Sequence, residues 1–130
     1  MPFDPKDFLA MAKDLINDAK YAKESAYRTC VSRAYYSAFL LARTFLEKKH
    51  GFRFPPSSDV HRLVIKALRQ RKVVKSLSGP YGARFTVADT LKDLRENGRN
   101  KADYNTIISI GQSGAQNWIQ QAEYVTSKIP

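Results

Sequence analysis

Between Ala26 and Gly51 the chain reads AYRTCVSRAYYSAFLLARTFLEKKHG, with no proline and no glycine before Gly51. Small and apolar residues recur at Ala26, Cys30, Ala34, Ala38, Ala42 and Phe45, and a neighbouring stripe runs through Val31, Tyr35, Phe39 and Leu46. Spacings of three and four place both stripes on one broad helical face, wide enough for more than one other helix to cover. Lys48, Lys49 and His50 suit the negative end of the helix dipole, and Gly51 suits a left-handed cap. A central helix of this kind predicts an all-α fold, an up-and-down bundle of about five helices.

The rest of the chain fits that frame. Asp4-Pro5 predicts a first helix with Asp as cap and Pro at its first position, carrying Phe8, Leu9, Ala12, Leu15, Ile16 and Ala19 inward. The stretch from Gly51 to Ser58, with Pro55-Pro56, reads as a loop. Ser58 or Asp59 then caps a third helix with Val60, Leu63, Val64, Ala67 and Leu68 inward and Arg62, Lys66 and Arg69 on another face. From Lys72 to Arg84 the breakers Ser78-Gly79-Pro80 and Gly82 predict irregular chain. Thr86 opens a fourth helix that buries Ala88, Leu91 and Leu94 and stops at Asn97-Gly98. Thr106 opens the last, along Ile107, Ile110, Gly111, Gly114, Ala115, Trp118, Ala122 and Val125. Gly111 and Gly114 each cost about 1 kcal/mol of helix propensity relative to alanine, for which close helix approach is the expected compensation. There is no alternating strand pattern and no repeat.

With 130 residues and 43% apolar content, a single domain over residues 1–130 with its own core is expected. No apolar run reaches the roughly 18 residues of a membrane span. The N-terminal MPFDPKDF has two aspartates and no apolar core, unlike a signal peptide. Cys30 is the only cysteine and reads as a buried small hydrophobe, so the expected location is the cytoplasm.

The net charge is +10, which favours nucleic acid or another anionic partner. It is concentrated: no acid lies between Asp59 and Asp89, while Arg62, Lys66, Arg69, Arg71, Lys72, Lys75 and Arg84 do. Basic patches supply sequence-independent affinity for phosphates. A second polar cluster spans Leu91–Tyr104, with Arg95, Arg99, Asn100, Asp103 and Tyr104. Arg99 offers a planar fork of donors for a phosphate, and Asn100 can donate or accept. Tyr104 can donate but is a poor general base at neutral pH. The same residues also fit a plainer arrangement, with Asp103 capping the last helix or pairing with Arg95 or Arg99 and Tyr104 packed beneath. Tyr21, Tyr27, Tyr35, Tyr36 and Tyr81 could stack bases or fill core and rim. No glycine-rich loop follows a strand, no histidine pair has metal-ligand spacing and no serine sits in a nucleophile elbow, so no metal or cofactor is expected.

Arg28–Gly51, centred on Ser32-Arg33-Ala34-Tyr35-Tyr36-Ser37-Ala38-Phe39, resembles the second helix of HEPN-domain proteins. Leu94-Arg95 followed by Arg99-Asn100-Lys101-Ala102-Asp103-Tyr104 resembles the closing motif of the small stand-alone bacterial and archaeal members. His61 stands where that group often has a histidine. The resemblance covers essentially the whole chain. It implies a helical bundle that dimerises near the motif and acts in RNA cleavage or nucleotide binding, without metal, by attack of the ribose 2′-OH on the adjacent phosphate. It implies that Arg99 holds that phosphate, with Asn100 as the polar residue beside it and Asp103 and Tyr104 completing the catalytic group. Arg33, Tyr36, His61, Arg62, Lys66, Arg69 and Arg95 are then the candidate nucleic-acid or nucleotide contacts. The pattern departs at the motif histidine, whose place within Asp103–Tyr104 holds an acid and a phenol. Related systems pair a HEPN toxin with a small nucleotidyltransferase antitoxin that can modify a tyrosine near the motif, and Tyr104 matches that target best. Three functions follow: a toxin ribonuclease or weakened relative, a non-catalytic RNA- or nucleotide-binding dimer, and a docking subunit for a nucleotidyltransferase.

Overall fold

The computed structural model describes residues 3–130, and among them every regular element is helical. The central helix is α2 (Glu24–His50), and its apolar face is as wide as the double stripe requires: Cys30, Val31, Ala34, Tyr35, Ala38, Phe39, Ala42, Phe45 and Leu46 are all buried. Gly51 ends it at φ +71°, a conformation that glycine reaches without a Cβ penalty. The small residues along α2 let two helices close on it, α1 (Lys6–Ile16) and α8 (Gln112–Lys128). Pro5, with helical torsions, stands at the N-cap of α1 rather than at its first position, and Asp4 before it accepts the Lys6 N–H at 3.0 Å. A short 3₁₀ turn, Ala19–Tyr21, separates α1 from α2, which leaves Ala19 exposed.

The other side of α2 is covered by α3 (Val60–Leu68) and by a long helical run of three parts. These are α6 (Val87–Asp93), a π-helical segment (Leu94–Arg99) and α7 (Asn100–Tyr104). In α3 it is Ile65 that is buried and Leu63 only half-buried; neither Ser58 nor Asp59 caps it, and Asp59 pairs instead with Arg62 at 3.6 Å. Thr86 precedes α6 without capping it, its hydroxyl donating to the Ala83 carbonyl and paired with the Tyr124 hydroxyl.

Three further expectations, about where helices start and stop, fail as well. The stretch 72–84 is not irregular: α4 (Arg71–Ser76) and α5 (Tyr81–Phe85) lie there, and Val73, Val74 and Leu77 are buried. Asn97-Gly98 does not stop a helix. Gly98 is buried, and a Cβ there would stand 3.0 Å from Trp118 Cδ2, so the glycine serves a ring lying against the backbone. The last helix does not begin at Thr106. Asn105 leaves helical torsions, its side chain accepts the Ile107 and Ile108 N–H groups, and Ile107 is 94% exposed. The helix starts at Gln112 with Gly111 before it, and neither Gly111 nor Gly114 faces a close neighbour. Gln112 donates to the Ile16 carbonyl and ties α8 to the end of α1.

Candidate functional site

The junction between the π-helical segment and α7 places Arg99 over the middle of α2. π-helical turns are uncommon and frequent at functional sites. The Arg99 side chain is 13% exposed, and all of the guanidinium's protein partners are side chains. Nε donates to Asp103 at 2.9 Å, Nη1 to Asn100 Oδ1 at 3.1 Å, and Nη2 to the hydroxyls of Tyr36 at 2.8 Å and Tyr104 at 3.3 Å. The cation also lies 5.2 Å from the Tyr36 ring centre and 5.3 Å from that of Tyr104, within cation–π range. Asp103 accepts a second bond from Ser32 Oγ at 3.3 Å. Thus the four candidate catalytic residues and Tyr36 meet at one place. Asp103 pairs with Arg99 and not with Arg95, and it caps no helix. Tyr104 is not packed beneath the cluster but stands 69% exposed.

Adjacent tyrosines on a helix point in different directions. Tyr36 reaches Arg99, whereas Tyr35 is fully buried and pairs with His61 Nδ1 at 2.5 Å. His61 is stacked on Phe39, with ring centres 4.2 Å apart, and meets Tyr36 edge-on. Burial, then the guanidinium groups of Arg95, Arg99 and Arg43, lower its pKa to about 4. Burial raises the Tyr35 phenol well above its ordinary value. At neutral pH both groups are therefore uncharged, and His61 braces the aromatic layer under Arg99.

The remaining candidates divide. Arg62, Lys66, Arg69 and Arg95 line a separate groove between α3 and α6 together with Lys92. Arg33 stacks over the Phe8 ring at 5.1 Å and edges a shallow recess that also takes in Ser32, Asp103 and Tyr104. No cluster of three or more His, Cys, Asp or Glu side chains suited to a metal ion occurs among the described residues.

Sequence reasoning missed Arg28. Its Nη1 donates to the carbonyls of Lys101, Ala102 and Asn105, and its Nη2 to that of Ile108 at 2.6 Å. These include carbonyls that the end of α7 leaves without helical partners. Its only local signal was Glu24, four residues earlier, which accepts from Nε at 2.8 Å. Lys92 was missed as a groove residue and Arg43 as a charge acting on His61.

The HEPN domain family matches residues 5–129. An uncharacterized protein of Methanocaldococcus jannaschii is 29% identical, over 78% of this chain and 63% of its own length. The chain thus spans somewhat under two thirds of that curated relative. No solved structure matches. No helix among the described residues is long and apolar enough to cross a membrane. With its all-α bundle, its α2 motif and an arginine cluster that closes on it, the chain belongs to the HEPN domain family.

Proposed function

We propose that this protein binds RNA phosphate at Arg99, as the RNA-acting toxin of a HEPN and nucleotidyltransferase pair, and that it works as a homodimer. The observation that carries this reading is the state of Arg99. Its fork is held by side chains alone, and one of them is a carboxylate, the nearest side-chain analogue of a phosphate oxygen. Asp103 marks where an anion sits on this guanidinium. A phosphate that displaces it gains charge-assisted bonds from a fork already braced by Tyr36.

Metal-independent cleavage then follows from the same groups. The 2′-oxygen forms a bond to phosphorus as the bond from phosphorus to the 5′-oxygen breaks. The proton of the 2′-hydroxyl leaves, and a proton reaches the 5′-oxygen. Arg99 stabilises the charge that develops on the phosphoryl oxygens. Asp103, released from Arg99, accepts the hydroxyl proton, and Tyr104 supplies a donor to the departing oxygen. Asn100 holds the Arg99 fork in orientation. Tyr104 is also the exposed hydroxyl that a nucleotidyltransferase partner would modify.

A specific observation favours a second reading, that of a non-catalytic RNA-binding dimer. The one histidine near Arg99 is neutral and engaged by Tyr35, so no imidazole titrating near pH 7 serves the site. RNA cleavage and RNA binding by the wild type in EDTA, beside Arg99→Ala, separate the two. Cleavage that Arg99→Ala abolishes establishes the ribonuclease. Saturable binding without cleavage, lost in Arg99→Ala, establishes the binding dimer. Binding or cleavage that Arg99→Ala leaves intact rejects both.

A further inference from the structure

We infer that the groove between α3 and α6 is a second phosphate site, which holds phosphates flanking the one at Arg99 on the same RNA strand. The inference rests on the reading of Arg99 above and adds that the ligand is a strand rather than a mononucleotide. The groove has a volume of about 490 Å³, within the range of small-ligand sites. Five of its lining residues are cations, Ile65 is the apolar one and Glu96 the acid. Two of the cations have partners, Arg62 with Asp59 at 3.6 Å and Arg69 with Asp89 at 2.9 Å. Both pairs are largely exposed, so they hold their arginines only weakly against a competing anion. Lys66, Lys92 and Arg95 make no ion pair among the described residues. Arg95 is the least comfortable of them: its Nε is buried without an acceptor while the side chain lines the groove. A cation kept half-buried without a counter-charge is costly, and a bound anion removes that cost.

Two features join the groove to Arg99. Arg95 and Arg99 lie four residues apart in the same π-helical segment, and both are near enough to His61 for their charges to lower its pKa. Beside Arg99 the exposed Tyr104 ring offers a face for a base. A cationic groove beside an aromatic platform is the general arrangement that holds a single strand without reading its sequence.

The test is fluorescence anisotropy with two labelled probes, adenosine monophosphate and a single-stranded oligoribonucleotide of about 12 nucleotides, a length within the span of known single-strand sites. Each is titrated at about 50 mM and about 200 mM salt against wild type, Lys66→Gln/Lys92→Gln and Arg99→Ala. Both lysines are exposed, so the double variant is expected to fold, with circular dichroism as the check. In the wild type the oligonucleotide binds at least about tenfold more tightly than the mononucleotide, with a steep salt dependence. In the double variant that length advantage collapses, and the slope of log K against log salt falls by about 1.4, or about 0.7 for each lost phosphate contact. An unchanged slope and an unchanged length advantage would overturn the inference. Mononucleotide binding that survives in Arg99→Ala would reject the reading of Arg99 instead, and a groove effect alongside it would leave the groove as the primary RNA site.

Discussion

Arg28 and Arg99 stand at opposite ends of α7, each with its donors almost fully used, yet their partners differ in kind. Arg28 gives its Nη groups to backbone carbonyls at the end of the helix and in the turn that follows. Those acceptors are backbone atoms that cannot turn away, and of the four only the Lys101 carbonyl also takes a helical N–H, that of Asn105. Arg99 gives its donors to side chains: Tyr36, packed among Tyr35, Phe39 and His61, and Asn100, Asp103 and Tyr104, of which the last two are exposed and can rotate toward solvent. One arginine is therefore committed to the fold, and the other, on the function proposed above, is the one that exchanges partners. Residue type and local spacing do not separate them; the identity of the acceptors does.

The largest expected effect is on stability. Arg28→Met removes charge-assisted bonds to four carbonyls and should destabilise the protein by about 3 kcal/mol in urea unfolding. Arg99→Met removes bonds to side chains, two of which, Asp103 and Tyr104, are exposed, so its cost should stay below about 1.5 kcal/mol, while RNA affinity falls at least about tenfold. Equal stability losses in the two variants would erase the distinction.

A subtler separation comes from His61. Its folded-state pKa of about 4 lies below the ordinary 6.5. The unfolded chain therefore takes up the proton first as pH falls, and the stability associated with the neutral imidazole is full above 6.5 and lost toward 4. Arg99 is one of the charges that hold the value down, after burial and Arg95; Arg28 is not. In NMR titrations the His61 midpoint should rise in Arg99→Met, staying below 6.5, and should not move in Arg28→Met. A midpoint near 6.5 in the wild type would show that His61 is not enclosed by the aromatic layer.

The same contrast explains what the sequence disclosed. α2 was legible because its periodicity runs uninterrupted to a glycine whose left-handed torsion ends it. Arg99, Asn100, Asp103 and Tyr104 were legible because they lie within six positions and their mutual bonds are local. Gly98 looked like a stop signal, since nothing near it in sequence announces the ring of Trp118. Val73, Val74 and Leu77 sit in or beside a helix too short to display a period, so the breakers beyond it dominated. Ile107 and Ile110 kept helical spacing, but the Asn105 side chain and Arg28 hold that stretch as a turn. Arg28 itself was invisible because its acceptors are backbone atoms more than seventy residues away.

The smallest expected effect tests the comparison at the acids. Glu24 and Asp103 each hold an arginine Nε at the i,i+4 spacing, and removing either charge should change stability by no more than about 0.5 kcal/mol, as for partly exposed helical pairs. Their effects on RNA should diverge. Glu24→Gln leaves Arg28 bound to its carbonyls and should not alter affinity. Asp103→Asn takes a negative charge from the place a phosphate would occupy, so affinity should rise about threefold, a gain of under 1 kcal/mol. Any cleavage should fall at the same time, because the proton acceptor has been removed. A drop in affinity in Asp103→Asn would mean that Asp103 fixes Arg99 in place rather than standing in for its ligand. Arg99 would then be a structural clamp like Arg28, and the α3–α6 groove would become the main candidate for the RNA site.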